Sequence, residues 1–290
     1  MSAAVLSGKD LARSLKDKVH QEALALETDG LRPTLAVVVA TDDDSTHWYV
    51  RSIGRAAESA GVGCRIVDLG ADATGQVLAS TLKDLGEDPS INGIILQAPL
   101  PPNVAAADLV LLIPPEKDVD GANPSSLGRL AVGQPSFAPA TARAVIELLD
   151  HFDVPLAGRG VVVVGRSAVV GKPLALLLLE RDAAVTVCHS RSGPLERYTR
   201  TADVVVVAAG RVGLLTGAHV SSGTVVIDVG TNVLPDGTLV GDVDEGSVRD
   251  SAAGLTPVPG GVGSVTTALI LLHTVEAARN QSRALVQASA

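Results

Sequence analysis

Residues 161–173 run Val-Val-Val-Val-Gly-Arg-Ser-Ala-Val-Val-Gly-Lys-Pro, and a leucine-rich segment continues from them to Glu180. The four valines predict a buried strand, and the leucine-rich segment predicts a helix. A helix that begins just after a glycine-bearing turn offers unpaired N–H groups and a positive dipole end to a phosphate. The spacing between Gly165 and Gly171 is not the G-x-G-x-x-G dinucleotide fingerprint, so a plain strand-to-helix turn is an equally good interpretation.

The next predicted strand, residues 184–188, ends in His189-Ser190-Arg191-Ser192. NAD-selective sites place Asp or Glu at this strand end, where it binds the ribose 2′-hydroxyl. Here the sequence has no acid and offers Arg166 and Ser167 on one strand end and Ser190 and Arg191 on the other. Because Arg binds phosphate groups in a bidentate manner, this pattern favours NADP over NAD. The alternative is that both arginines are solvated surface residues.

Strands and helices alternate on both sides of this segment, which predicts an α/β protein with parallel sheets. A section rich in Pro, Gly, Ser and Asn, residues 114–139, predicts a domain boundary, and a connecting helix is expected after it. The further strands are predicted at residues 35–40, 65–69, 93–96, 204–208 and 225–229. The helices are predicted at residues 8–29, 46–61, 74–85, 105–112, 141–152 and 266–279.

Composition narrows the class of protein. Of the 290 residues, 46% are hydrophobic and only 2% aromatic, as expected for aliphatic cores around parallel strands. The net charge of −9 argues against nucleic-acid binding. Cys64 and Cys188 are too few for a disulfide scaffold or a cysteine-rich zinc site, and no metal site is predicted. We find no signal peptide or membrane span and expect a cytoplasmic protein without membrane partners.

Seven segments, in this order, resemble one known family along almost the whole chain. The family is methylenetetrahydrofolate dehydrogenase/methenyltetrahydrofolate cyclohydrolase. The matching segments are Gln-Ala-Pro-Leu-Pro (97–101), Pro-Glu-Lys-Asp-Val-Asp-Gly (115–121), Val-Gly-Arg-Ser-x-x-Val-Gly-Lys-Pro (164–173), Cys-His-Ser-Arg (188–191), Ile-Asp-Val-Gly (227–230), Gly-Asp-Val (241–243) and Thr-Pro-Val-Pro-Gly-Gly-Val-Gly (256–263).

The resemblance implies two α/β domains flanking a cleft, the C-terminal one a Rossmann-like NADP-binding domain. The folate-binding and catalytic domain is expected at residues 1–138, with a returning C-terminal helix at 268–290, and the NADP domain at 139–267. The implied reaction is oxidation of 5,10-methylenetetrahydrofolate to the 5,10-methenyl form, which is then hydrolysed to 10-formyltetrahydrofolate. Family members are usually homodimers, so a homodimer is expected here.

The resemblance also implies the site residues. Tyr49, Gln97 and Asp120 correspond to the family's catalytic, folate-binding residues, although alone they would be interpreted as a core Tyr, a turn Gln and a capping Asp. Substrate binding is further expected at Pro259, Gly260 and Gly261. The expected cofactor-binding residues are Thr141, Gly165, Arg166, Ser167, Gly171, Pro173, His189, Ser190, Arg191 and Gly230.

One family residue is missing. The family has a Lys four residues after the Tyr, whereas this chain has Ile53, and residues at i and i+4 share a helix face. An aliphatic side chain cannot move a proton, and Arg51 and Arg55 point off that face and stay protonated. A positioned acid–base group contributes about 10²–10⁴-fold to hydrolysis. The sequence therefore predicts that the cyclohydrolase step is weak or lost, while the dehydrogenase step persists.

Smaller departures lie nearby and keep other functions open. The family's Pro-Cys-Thr-Pro-x-Gly loop is Pro-Ala-Thr-Ala-Arg-Ala at residues 139–144, and Thr41, Ala98 and Ser264 replace common family residues. One alternative is a catalytically silent paralogue that binds folate or NADP. Another is an NADP-dependent reductase that acts on a different substrate, against which the retention of Gln97 and Asp120 argues.

Overall fold

The computed structural model describes residues 2–288, except for the side chains of residues 285, 286 and 288. Strands and α-helices alternate along this part of the chain. The strands are Ala4–Val5 (β1), Thr34–Val39 (β2), Gly63–Asp68 (β3), Gly93–Leu96 (β4), Gly160–Val164 (β5), Ala184–Cys188 (β6), Val204–Val207 (β7), Val225–Asp228 (β8), Asn232–Val233 (β9), Leu239–Val240 (β10) and Gly254–Leu255 (β11). The α-helices are Lys9–Thr28 (α1), Asp44–Ser59 (α2), Gly75–Glu87 (α3), Ala106–Leu109 (α4), Pro124–Ala131 (α5), Ala140–His151 (α6), Gly171–Leu179 (α7), Glu196–Thr199 (α8), Glu245–Arg249 (α9) and Val262–Ala288 (α10).

One compact unit contains Arg13–Ala140 and the chain from Thr267 onward. Its sheet has three parallel strands in the order β3-β2-β4. The central strand, β2, is buried from Leu35 to Val39, because helices cover both faces of a parallel sheet. Leu78, Leu82 and Leu85 of α3 pack with β2 residues in the core on one side of the sheet.

The section rich in Pro and Gly contains a helix that the sequence did not predict. Asn123 caps α5 by accepting a hydrogen bond from the Ser125 N–H at 2.7 Å, and Pro124 occupies the first helical turn. Asn as the cap and Pro at the first helical position are favourable start signals. Residues 114–139 therefore lie inside this unit, and the boundary with the second unit falls just after them, between Ala140 and Thr141.

The second unit contains the first twelve residues and Thr141–Thr266. Its main sheet has six strands, all parallel, in the order β1-β11-β8-β7-β5-β6. The short strands β9 and β10 form a separate antiparallel pair. The predicted strand of four valines is the buried part of β5. The chain passes from β5 to β6 on one side and returns to β7 on the other, as in doubly wound nucleotide-binding sheets.

The N-terminal residues differ from the sequence prediction, which assigned them to the folate-binding domain. Ala4 and Val5 pair with Gly254 and Leu255 of β11, so β1 is the edge strand of the six-stranded sheet. A two-residue strand that pairs with residues about 250 positions later leaves no local signal in the sequence.

The C-terminal helix begins earlier than predicted and runs from Val262 to Ala288. The last two residues of the predicted range, 289 and 290, lie outside the described residues. Within residues 2–288, no helix combines the length and the apolar character that crossing a membrane requires.

Candidate active site

The turn after β5 is closely packed around its two glycines. Gly165 has φ of 132°, and a Cβ there would lie 2.1 Å from the Ala208 carbonyl oxygen. A Cβ on Gly171, the first residue of α7, would lie 2.1 Å from the Gly165 oxygen. The Ser167 hydroxyl accepts a hydrogen bond from the Val170 N–H at 3.1 Å. The turn is therefore shaped by its backbone, with Pro173 buried in the first turn of the helix behind it.

The turn after β6 is held by hydrogen bonds among its own residues. The Ser192 hydroxyl accepts from the His189 N–H at 2.9 Å, and His189 Nδ1 accepts from the Arg191 N–H at 3.1 Å. The Tyr198 hydroxyl donates to the Ser192 carbonyl at 2.8 Å. Ser190 remains exposed. His189 therefore shapes the turn, and sequence analysis did not identify Ser192 and Tyr198, whose roles depend on local closure of the loop.

Two arginines stand at these neighbouring strand ends. Arg166 and Arg191 are exposed, and within the described chain neither guanidinium forms an ion pair with a carboxylate. Neither strand-end turn contains Asp or Glu. A fixed backbone turn at a helix N-terminus, flanked by two uncommitted guanidinium groups, fits a dinucleotide with an additional ribose phosphate. This arrangement fits NADP better than NAD.

Among the other expected residues of the second unit, Gly230 and residues 259–261 follow strands of its main sheet, and Thr141 lies on a helix. Gly230 follows β8, and its N–H donates to Asp228 Oδ1 at 2.9 Å. Residues 259–261 lie in the loop between β11 and α10, where the Gly260 carbonyl accepts from the Gly8 N–H at 2.9 Å. Thr141 is the second residue of α6 and is partly exposed. The carboxyl ends of parallel strands are the usual position of ligand sites in such sheets.

Tyr49 and Asp120 are electrostatically coupled in the first unit. Tyr49 is half-buried on α2, a helix that begins where Asp43 accepts a hydrogen bond from the Thr46 N–H at 2.7 Å. Burial raises the pKa of Tyr49, and the negative charge of Asp120 raises it further. The Thr267 side chain hydrogen-bonds Tyr49 and favours its ionised form. Thr267 is a neighbour that the sequence did not reveal.

Asp120 lies in a loop that is fixed at several points. The Asp118 carboxylate accepts from the Ala122 and Asn123 N–H groups at 2.9 and 2.8 Å, and from the Ser126 hydroxyl at 2.8 Å. Lys117 Nζ donates to the Asp88 carbonyl at 2.7 Å, beside the end of α3. Burial, reinforced by the nearby charge of Asp118, raises the pKa of Asp120 to about 7. Its carboxyl group therefore exchanges protons near neutral pH.

Gln97 follows β4 directly. Its backbone N–H donates to the Val38 carbonyl at 2.8 Å, and its side-chain Nε2 donates to the carbonyl of Ala98 at 2.8 Å. The side chain is half-buried, and its amide oxygen is left as a hydrogen-bond acceptor.

Ile53 is fully buried, with no exposed surface. Thr46, Val50 and Ala57 are the other buried residues of α2. Arg51 and Arg55 are exposed, as expected for residues on the opposite face of the helix. Position 53 therefore contributes to the core, and the buried face of this helix carries no Lys or Arg.

The fold and these two groups of residues define a two-domain α/β protein with a Rossmann-like nucleotide-binding domain. Residues 6–120 match the family model "Tetrahydrofolate dehydrogenase/cyclohydrolase, catalytic domain". Residues 139–282 match the model "Tetrahydrofolate dehydrogenase/cyclohydrolase, NAD(P)-binding domain". The chain belongs to the tetrahydrofolate dehydrogenase/cyclohydrolase family.

Similar proteins cover nearly the entire chain. Bifunctional protein FolD 1 of Paenarthrobacter aurescens is 74% identical over 283 residues, which are 98% of this chain and 96% of that protein. The crystal structure of FolD from Campylobacter jejuni has a TM-score of 0.93 at 37% identity and covers 96% of this chain and 99% of its own. The dehydrogenase-cyclohydrolase of Trypanosoma brucei, solved with NADP and an inhibitor, has a TM-score of 0.92 at 36% identity and covers 98% and 99%.

Proposed function

We propose that this chain oxidises 5,10-methylenetetrahydrofolate with NADP and hydrolyses the methenyl product to 10-formyltetrahydrofolate. Family membership and the 74% identical bifunctional relative support both activities. The observation that carries the proposal is the half-buried Asp120, whose pKa is raised to about 7 and whose negative charge raises the pKa of the Tyr49 phenol. Such a pair combines an aromatic surface with a group that binds or releases a proton near pH 7.

In the proposed folate site, each side chain binds a different part of the ligand. The ionised Asp120 carboxyl accepts hydrogen bonds from pterin N–H groups, and the Gln97 amide offers both a donor and an acceptor. Tyr49 offers its ring to the pterin plane and its hydroxyl to a proton-exchanging atom. Because Asp118 and Lys117 fix the loop of Asp120, the protein orients the carboxyl before the ligand arrives.

In the proposed NADP site, Arg166, Ser190 and Arg191 bind the ribose 2′-phosphate. The backbone around Ser167 and the first turn of α7 bind the pyrophosphate. Bound NADP supplies the hydride acceptor, while the protein contributes binding and orientation. The complex of the T. brucei relative with NADP supports this choice of cofactor.

The hydrolytic step is included because the relatives do not support its loss. The 74% identical protein carries the name of a bifunctional enzyme. The prediction that Ile53 weakens hydrolysis therefore rests on that residue alone.

The variant Ile53→Lys tests this prediction against Ile53→Met, which keeps the position apolar. If the missing Lys limits hydrolysis, the Lys variant hydrolyses methenyltetrahydrofolate at least about tenfold faster than the Met variant. Equal rates in the two folded variants would contradict the Ile53 prediction.

A homodimer is part of the proposal and is supported by the edge of the six-stranded sheet. Among the described strands of this sheet, β6 is an edge strand, and its Val187 is 38% exposed. Leu179, at the end of α7, is 56% exposed. Unpaired strand edges with apolar side chains favour association. We expect Val187→Lys to convert a dimer to a monomer in light scattering, whereas Val132→Lys in the other unit does not.

The proposal places the protein in the cytoplasm. Both cysteines, Cys64 and Cys188, are free thiols, which is consistent with a reducing compartment.

The test of the proposed function is the initial rate of NADPH formation from 5,10-methylenetetrahydrofolate. We expect turnover with NADP, and we expect the double variant Arg166→Ala/Arg191→Ala to raise the KM for NADP about 100-fold. The KM for NAD should change less than about threefold, because NAD has no 2′-phosphate. Arg200→Ala, an exposed arginine of the same unit, is the matched control. Equal losses for NADP and NAD would refute the assignment of the arginines. Binding of both ligands without turnover would instead identify a silent paralogue.

A further inference from the structure

Two buried aspartates brace the loops that follow β7 and β8. Asp242 has no exposed surface, and Asp228 is 4% exposed. Both lie in segments that match the family, but the sequence assigned no role to either aspartate. A buried carboxylate is costly unless hydrogen bonds compensate for the lost water. The partners of these two groups therefore indicate what the carboxylates accomplish.

The Asp242 carboxylate is surrounded by donors from the loop that follows β7. Oδ2 accepts from the N–H groups of Ala209 and Gly210 at 2.6 and 2.9 Å. Oδ1 accepts from the Arg211 N–H at 2.7 Å and from Asn232 Nδ2 at 3.0 Å. Three consecutive backbone N–H groups thus converge on one carboxylate, which fixes the path of residues 209–211.

The Asp228 carboxylate does the same for the segment that carries Asp242. Oδ1 accepts from the Gly230 and Asp242 N–H groups at 2.9 and 3.0 Å, and Oδ2 accepts from the Val243 N–H at 3.0 Å. A Cβ on Gly241 would lie 1.8 Å from Asp228 Oδ2, so only glycine permits this approach. The two carboxylates therefore link the loop after β7 to the loop after β8. We call these two linked loops the braced loops.

The position of the braced loops in the sheet places them beside one half of the proposed dinucleotide site. The sheet order reverses between β5 and β7, and dinucleotides bind across such a reversal with one mononucleotide on each side. The turns after β5 and β6 carry Arg166 and Arg191, so they hold the adenosine half. The loops after β7 and β8 are left for the nicotinamide half. Residue 208, next to the braced loop, also contacts the phosphate turn through its carbonyl oxygen at Gly165.

We propose that Asp242 is a positioning residue, which orders loop 209–211 through its three N–H groups and so preforms the nicotinamide half of the NADP site. Asp228 supports it by fixing the backbone of Asp242 and Gly230. This inference rests on the NADP site proposed above. It gives the Asp-Val-Gly (228–230) and Gly-Asp-Val (241–243) segments a function that does not depend on direct contact with the ligand.

The variant Asp242→Asn keeps the size of the side chain but places an NH₂ group against backbone N–H donors. Because the carboxylate accepts from both of its oxygens, either orientation of the amide leaves N–H groups unpaired. The loop is then expected to leave its braced path. The matched control is Asp244→Asn, since Asp244 is exposed two residues further along the chain and accepts from the Ser247 hydroxyl at 2.9 Å.

The experiment measures dissociation constants by calorimetry for NADP and for 2′,5′-ADP, which has only the adenosine half with its 2′-phosphate. We expect Asp242→Asn to weaken NADP binding at least tenfold and to change 2′,5′-ADP binding less than twofold. The Asp244→Asn control should match the wild type for both ligands. In turnover, the KM for NADP should rise while the KM for methylenetetrahydrofolate stays within twofold.

Equal losses of both ligands, or wild-type constants for both in the folded variant, would overturn the proposal. If Asp242→Asn does not fold, the same two dissociation constants are measured for Asn232→Ala. This variant removes one donor to Asp242 and leaves both carboxylates in place. A weakening of NADP alone supports the positioning role, and no selectivity between the ligands refutes it. Failure of the wild-type protein to bind either ligand would instead refute the proposed NADP site.

Discussion

Replacing Asp120 with Asn is expected to stabilise the protein above pH 7 while it removes folate turnover. Burial, together with the charge of Asp118, raises the pKa of Asp120 from 3.8 to about 7. The folded protein therefore binds this proton more tightly than the unfolded chain does. The resulting contribution to stability is complete below pH 3.8 and is lost as the pH rises through about 7. Asn does not ionise, so the variant avoids that loss.

The magnitude follows from the size of the pKa difference. The change from 3.8 to about 7 is about three pKa units, which at about 1.4 kcal/mol each sets an upper limit of about 4 kcal/mol. Because Asp120 is only half-buried, water screens part of this effect, and we expect about 2 kcal/mol. Urea unfolding at a series of pH values measures it, with the exposed Asp72→Asn of the same unit as the control.

The variant should gain stability relative to the wild type as the pH rises from about 4 to about 8. Its kcat/KM for methylenetetrahydrofolate should fall at least about 100-fold, because the amide offers the pterin N–H groups a donor in place of one acceptor oxygen. A stability difference that does not change with pH would refute the assignment of a raised pKa to Asp120.

Three further predictions concern packing around the two groups of site residues. Gly171→Ala introduces a Cβ 2.1 Å from a backbone oxygen of the phosphate turn, so NADP binding should be lost; Gly128→Ala, with open space around it on α5, should stabilise the protein by about 0.5–1 kcal/mol in urea unfolding. Ile53→Lys should lower the free energy of unfolding by about 3 kcal/mol or more at neutral pH, whereas Ile53→Met should lower it by less than about 1.5 kcal/mol; equal stabilities would contradict the buried position of residue 53. Thr267→Val removes the hydroxyl that bonds Tyr49 and should raise the KM for folate several-fold with an unchanged KM for NADP; an effect on both would argue against a role at Tyr49.

Local patterns predicted the elements that depend on neighbouring residues. The strand at residues 93–96 is apolar throughout and bounded by polar residues, and it was predicted with the bounds that β4 has. Helix α5 was missed because its cap at Asn123 and its first-turn proline lie among residues typical of loops. The pairing of β1 with β11 was missed because it joins residues that are far apart in the chain.

In the candidate site, too, the features that depend on neighbouring residues were predicted, and the contacts between distant segments were not. The two turns that carry Arg166 and Arg191 follow predicted strands directly, so parallel pairing of β5 and β6 was enough to bring them to one edge. The bond between Thr267 and Tyr49, and the bracing of residues 209–211 by Asp242, join segments from separate elements. No periodicity or spacing in the sequence encodes such contacts, so only the folded chain reveals them.

The most direct measurement is a single progress curve with purified protein, 5,10-methylenetetrahydrofolate and NADP, in which NADPH and the methenyl product are followed separately. We expect NADPH to form and the methenyl product to disappear faster than it hydrolyses without the protein. NADPH that forms while the methenyl product accumulates would show that the dehydrogenase lacks the second step, as Ile53 alone predicts. If no NADPH forms while both ligands bind, the proposed function is contradicted.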